Sequence, residues 1–291
     1  MLAAALLLVV DFSTLFVGTA SGFLGSALLV LGASVPAAAR STRARLADRL
    51  GAGLRIMVGT PRLRAVLALN MVVAATGAIT LVSTVNVVRD LLGGGESAVA
   101  LLLAVSGTGT AAAALGAPGL LRRRSERQVL LAGATVSSLA VMTAVLLSVA
   151  PGWPLALAVW ALVGIGTGTV LVPIGRVIRS AAAAPDRPAL FAAQFSLSHS
   201  CWLVTYPLTG WVGTAAGFTA AWAVLGGIAV LAGLAARSAW PATATSVIRH
   251  AHDDTAEHEH LDRAERHDAG WVHTHHVVID TNHTRWPATV S

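Results

Sequence analysis

Seven stretches of about twenty mostly apolar residues follow one another along the chain, near 13–35, 65–88, 97–118, 128–149, 154–175, 190–211 and 214–236. The hydrocarbon core of a bilayer is about 30 Å thick and an α-helix rises about 1.5 Å per residue, so each stretch can cross as a helix. None shows the ten-residue alternation of apolar and polar positions that a membrane barrel needs. The pattern predicts an all-α integral membrane protein with about seven transmembrane helices. The opening run "MLAAALLLVVD" has too few apolar residues before Asp11 to span. No basic residue precedes it and no small-residue cleavage site closes it, so it does not read as a signal peptide. The expectation is the exit end of a helix whose beginning lies upstream.

Between the first and second spans runs "RSTRARLADRLGAGLRIMVGTPRLR", residues 40–64. Leu46, Leu50, Leu54 and Ile56 or Met57 recur at helical spacing, which predicts an amphipathic helix on the bilayer surface, ended by Pro61. The expected organisation is therefore a half helix and one span over 1–36, a basic linker over 37–64, a six-helix bundle over 65–236 and a polar tail over 237–291.

Charge gives this pattern a direction. Of the 20 basic residues, all arginine, Arg40, Arg43, Arg45, Arg49, Arg55, Arg62 and Arg64 follow the first span. Arg122, Arg123, Arg124 and Arg127 follow the third, and Arg176, Arg179 and Arg187 follow the fifth. Every second loop is basic, and arginine-rich loops stay cytoplasmic, so the tail is expected in the cytoplasm of a multi-pass plasma-membrane protein. The net charge of +6 thus reports topology and gives no support for nucleic-acid binding. Composition agrees with a bilayer partner: 55% of residues are hydrophobic, 12% are charged and the mean hydropathy is +0.71. Cys201 is the single cysteine, which excludes an intrachain disulfide and a zinc–thiolate site.

An ionisable side chain inside a bilayer is costly, which singles out His199. Phe195, His199, Trp202 and Tyr206 fall at i, i+4, i+7 and i+11 on one helix face, with Gln194, Ser198, Cys201 and Thr205 beside them. Two readings stand: a transport-cavity lining in which His199 binds substrate or exchanges a proton, and a neutral histidine bonded to a neighbouring helix. On the second span, Asn70, Thr76, Thr80, Ser83, Thr84 and Asn86 add uncharged polar groups, either to steer a polar substrate or to hold helices together. "SGTGT" at Ser106–Thr110 and "GIGTGT" at Gly164–Thr169 follow no strand and open no helix, so they read as close-packing surfaces and not as nucleotide loops. With no lysine in the chain, a Walker motif and ATP-driven transport are excluded.

The tail holds nine of the ten histidines: His250, His252, His258, His260, His267, His273, His275, His276 and His283. They alternate with carboxylates such as Asp253, Asp254, Glu257 and Glu259. Neutral imidazole suits nickel, cobalt and zinc, and a disordered acidic segment can wrap such an ion without a preformed site. A disordered tail that senses pH or binds nothing specific is the other reading. No HExxH occurs, so a zinc hydrolase has no support and no enzyme is expected.

Particular words resemble a known family. "GLRIMVGTPRLRAVLALN" is similar to the segment leading from the central loop into the seventh helix of major facilitator superfamily exporters, and "GLLRRRSERQVLLAG" resembles their short basic loop between helices eight and nine. Ser125 and Glu126 stand where that loop usually carries an aspartate and a glycine. The tail words "HEH", "HTHH" and "VIDTNHTRWP" resemble the histidine-rich cytosolic end of the nickel and cobalt resistance branch. The resemblance implies an MFS-type helical bundle, comprising the second six-helix half with the last helix of the first, a missing N-terminal half as partner, and secondary-active export. The reading it leads to is efflux of a divalent metal such as nickel or cobalt captured by the tail, with efflux of an organic solute and a membrane-anchored metal buffer or sensor that moves nothing as the alternatives. No covalently bound cofactor is expected, and the divalent metal would be substrate or tail ligand.

Overall fold

The computed structural model describes residues 11–33, 46–240, 242, 247–252, 265–267, 270–279 and 286. The opening run 1–10, and with it the expected half helix, lies outside the described residues, as do most of the linker's first arginines.

Among the described residues six helices are long and apolar enough to cross a membrane. The first, α1 (Phe12–Gly32), is capped by Asp11, whose Oδ1 accepts the Thr14 N–H at 3.0 Å and also the Thr14 hydroxyl. The hydroxyl first and then the amide hold the Asp11 carboxyl below the usual carboxylate range. None of the apolar stretch of α1 is buried, and Phe16, Phe23, Leu28 and Leu31 are exposed.

The linker helix α2 (Leu46–Gly59) corrects the surface-helix expectation. Its contact face is Gly53, Ile56 and Met57, which are buried, whereas Leu54 is exposed. A methyl group at Gly53 would collide with the Ala189 carbonyl, so the helix lies directly on protein. Thr60 is extended at φ −91° and ψ 121°, and Pro61 starts the next helix, where its missing N–H costs nothing.

Four further helices build the bundle: α3 (Pro61–Leu91), α4 (Glu96–Arg123), α5 (Glu126–Ser148) and α6 (Trp153–Ala181). They are followed by the 53-residue α7 (Arg187–Ala239). At about 1.5 Å per residue α7 would be about 80 Å long, far more than one crossing needs. Gly217, at φ 85° and ψ 160°, interrupts it. The contacts on either side show a reversal. Ala189, near the start, meets Gly53 of the linker helix, and Arg237, near the end, accepts from Arg127 at the start of α5. The two limbs of α7 therefore run antiparallel, and the last two expected spans are separate passes joined at Gly217, four residues beyond the expected turn at Gly213.

The core is drawn from every helix of the bundle, with Leu63, Leu69, Ile79, Leu102, Leu130, Leu147, Trp160, Ile178, Leu190, Trp222 and Leu225 all fully buried. Small residues set the closest approach. A methyl at Gly164 would collide with the Ser106 carbonyl, and one at Gly168 would come within 2.8 Å of the Thr110 carbonyl oxygen. The Thr110 hydroxyl donates to the Gly164 carbonyl at 3.1 Å. The two glycine-rich words thus face each other across α4 and α6, where the absence of side chains brings backbones together.

The arginine-rich end is tied by polar contacts. Arg62 donates to the Ser180 carbonyl at 2.5 Å, Arg176 pairs with Glu126 at 2.6 Å, and Arg127 donates to the Trp240 carbonyl.

The tail, expected to be disordered, carries three strands: β1 (Val247–His252), β2 (Glu265–His267) and β3 (Gly270–His276), antiparallel in the order β1–β3–β2. Ile248, Val272, Val277 and Ile279 are buried. Ile279 joins the core beside Ile56 and Met57, and a methyl at Gly59 would collide with its Cδ1. Trp286 packs against the same core. Within the strands Ile248 and Val272 are buried, and beyond β3 the chain is held against the linker helix where Ile279 meets Gly59.

Candidate functional site

The polar positions of α3 and the first limb of α7 meet where the two helices pack. Asn70 and Gln194 exchange amide hydrogen bonds, Asn70 Nδ2 to Gln194 Oε1 at 3.2 Å and Gln194 Nε2 to Asn70 Oδ1 at 2.9 Å. Each amide satisfies the other, which removes most of the cost of placing them between helices. One turn further along, the Thr205 hydroxyl donates to the Ala74 carbonyl at 3.2 Å.

The aromatic positions expected on one face form a continuous ladder. The Phe195 and His199 rings lie 4.0 Å apart between centroids, His199 and Trp202 5.1 Å, and Trp202 and Tyr206 6.0 Å with only 10° between planes. His199 Nδ1 lies 2.8 Å from the Phe195 carbonyl oxygen and 3.4 Å from Ser198 Oγ. That contact uses one ring nitrogen on the helix's own backbone and leaves the other directed elsewhere. Phe195 and His199 are exposed, whereas Tyr206 is half-buried and its hydroxyl, next to Gly77, is buried without a partner among the described residues.

The threonines expected to join this face divide. Thr76 is fully buried and donates to the Val72 carbonyl at 2.7 Å, which satisfies it within its own helix. The Thr80 hydroxyl is buried with no partner among the described residues. Ser198 likewise returns its hydroxyl to the Phe195 carbonyl, at 2.9 Å. Asn70 and Gln194 therefore meet between α3 and α7, with the Tyr206 hydroxyl beside Gly77; His199 lies exposed on the ladder with Trp202 next to it, and Thr76 and Ser198 turn back to their own helices.

Two tryptophans not anticipated from the sequence anchor the other end of α3. Trp160 Nε1 donates to Thr84 Oγ1 at 3.0 Å, and Trp222 Nε1 donates to Ser83 Oγ at 3.1 Å. Both acceptors lie at the junction of a π-helical turn, Ile79–Ser83, with the following turn, and a second π turn spans Val87–Leu91. Such wide turns lie preferentially at functional sites because they re-aim side chains. The available signal was a pair of indoles in apolar spans, since a buried indole N–H needs an acceptor.

Of the tail histidines, His258, His260 and His283 lie outside the described residues. The register sets His250 opposite His273, Ile248 opposite His275 and His252 opposite Trp271. His267 pairs with Gly270 at the far edge. Among the described side chains no three histidine, cysteine or carboxylate groups gather.

A multi-pass bundle with polar and aromatic side chains gathered between packed helices, and with helices broken by π turns and a glycine, is the architecture of a membrane transport protein. The Major Facilitator Superfamily model matches residues 65–274, which is most of the chain, and the protein belongs to that superfamily. No curated protein and no solved structure matches it.

Proposed function

We propose that this major facilitator transporter exports an organic solute with an aromatic or otherwise flat apolar part, received on the Phe195–His199–Trp202–Tyr206 ladder. The ladder carries the reading: four rings in register on one face, two of them exposed, present stacking surface with one titratable group in the middle. The Asn70–Gln194 pair beside it supplies amide groups that a polar substituent can borrow. No covalent step is involved, and the driving force is an ion gradient, His199 being the group on that face suited to proton exchange. The arginine-rich end faces the cytoplasm in this reading and the membrane is the plasma membrane.

A second reading, export of nickel, cobalt or zinc captured by the tail, is favoured by the register that sets His250 opposite His273. In that case the sheet, seated on the linker helix through Ile279, delivers the ion to the arginine-rich end of the bundle.

Reconstitution of the full chain in proteoliposomes under an imposed proton gradient, with ethidium and with nickel as probes, separates the two. Gradient-driven ethidium movement that Trp202→Ala and His199→Ala each reduce at least tenfold supports the ladder. Nickel movement without ethidium movement overturns it in favour of the tail. Transport of neither probe overturns both substrate readings.

A further inference from the structure

The opposite end of α3 holds a cavity that neither substrate reading uses. It measures about 150 Å³ and is lined by Asn86, Val87, Asp90 and Leu91 of α3, Ser148 at the end of α5, and Phe218, Thr219 and Trp222 of the second limb of α7. Asp90 lies twenty positions beyond Asn70, about 30 Å at 1.5 Å per residue, so the cavity is remote from the aromatic ladder.

Its walls are built by two departures from regular helix. The π turn Val87–Leu91 widens α3 where Asn86 and Asp90 project, and the Asn86 amide donates to Asp90 Oδ2 at 3.4 Å. Gly217, at φ 85°, breaks α7 one residue before Phe218, so the second limb opens with that ring against the cavity. Phe218 and Trp222 lie 6.2 Å apart between centroids, tilted by 36°. Trp222 is buried and has committed its N–H to Ser83, so it backs the Phe218 ring and offers the cavity no donor.

The charge is one-sided. Arg89, the adjacent cation, is engaged by Glu96 at 3.2 Å, and among the described residues Asp90 has no ion-pair partner, only the neutral Asn86 amide. A carboxylate at the mouth of a pocket walled by the half-buried Phe218 ring, with Trp222 buried behind it, has a definite chemical preference. An anion is repelled, and a neutral apolar molecule leaves the carboxylate unanswered. A divalent metal takes six or more oxygen ligands with several carboxylates among them, and here one carboxylate stands with only the neutral Asn86 amide and the Ser148 and Thr219 hydroxyls. A monovalent alkylammonium ion satisfies both features, its charge meeting the carboxylate and its methyl groups meeting the ring faces. The size agrees, since an apolar cavity of roughly 150 Å³ admits a benzene-sized molecule.

The geometry points to a binding site for a small alkylammonium cation between Asp90, Phe218 and Trp222, at the end of the bundle opposite the arginine-rich loops. The site is independent of the ladder and of the tail, and stands or falls by binding alone.

Calorimetric titration of the purified full chain in detergent with tetramethylammonium chloride, against sodium chloride at equal ionic strength, tests it. Saturable binding is expected. Asp90→Asn, at an exposed position that leaves folding unaffected, is expected to weaken it at least tenfold, and Phe218→Leu about three- to tenfold, with thermal unfolding and size-exclusion profiles checking that the second variant is folded. Asp186→Asn, at the other end of the bundle, serves as the control and is expected to bind like the unaltered chain. Absence of saturable binding, or Asp90→Asn binding within twofold of the unaltered chain, overturns the site. Displacement of tetramethylammonium by nickel chloride at lower concentration, dependent on Asp90, also overturns it by showing a metal site instead.

Discussion

Asn70 and Gln194, separated by 124 positions in sequence, hold each other by two amide hydrogen bonds across the packed faces of α3 and α7. This is the one place in the bundle where two primary amides meet, among the described residues, and Asn70 is only 2% exposed. The pair fixes the rotation of both helices, because turning either one by a residue would remove both bonds at once. Replacing Asn70 with Ala leaves the Gln194 amide facing an apolar gap, a loss of about 1–3 kcal/mol. Asn70→Leu with Gln194→Leu is expected to be milder than the sum of the single leucine variants. Thermal unfolding in detergent of the two singles and the double completes the cycle, and strictly additive losses would sink the pairing.

The two indole anchors are unequal. Thr84, which receives Trp160, also donates to the Thr80 carbonyl, so it keeps a partner when the indole is removed. Among the described residues Ser83 has no side-chain hydrogen bond beyond the one from Trp222. At the level of polar satisfaction, Trp222→Phe should therefore be worsened by the stranded serine, and adding Ser83→Ala should recover part of that loss, roughly 1 kcal/mol. The matching rescue of Trp160→Phe by Thr84→Ala should be absent. Equal rescue in both pairs, read from unfolding midpoints, would contradict the asymmetry.

Gly164→Ala should cost about 1–3 kcal/mol, because its methyl meets the Ser106 backbone, which cannot yield as a flexible side chain can. Gly116→Ala, with nothing within 4 Å of the added carbon, should fall within about 0.5 kcal/mol of the unaltered protein. The comparison holds residue type and helix environment nearly constant, so similar losses at both positions would show that backbone propensity and not α4–α6 contact sets the outcome.

Gly59→Val places a side chain where Ile279 now sits. The tail sheet should then detach from the linker helix, and cleavage by trypsin after Arg249 and Arg266 should accelerate several-fold. Gly51→Val lies in the same helix with open space around it, and cleavage there should be unchanged. Unaltered cleavage in Gly59→Val would mean that the sheet does not depend on this seat.

Much of the architecture was legible before any coordinates. Apolar length alone marks the spans, since the bilayer thickness leaves few alternatives for twenty hydrophobic residues, and the helical period places Phe195, His199, Trp202 and Tyr206 on one face whatever surrounds them. Other features depended on contacts between distant segments. Thr76 and Thr80 share a helix and nearly share a face, yet one bonds within its own backbone and the other is left without a partner, because hydroxyl satisfaction is decided atom by atom in the packed state. Trp160 and Trp222 look like ordinary apolar residues in sequence, and only packing reveals that their N–H groups converge on adjacent hydroxyls of α3. The tail shows the same division. Its histidines and carboxylates are visible in composition, whereas the seat of Ile279 at Gly59, more than two hundred positions away, is a contact that composition does not contain. What the sequence determined by itself was local: length, period and charge alternation, each set by the membrane or by the helix. What only the tertiary structure decided was partnership, because a hydrogen bond or a close approach needs two surfaces, and the sequence presents them one at a time.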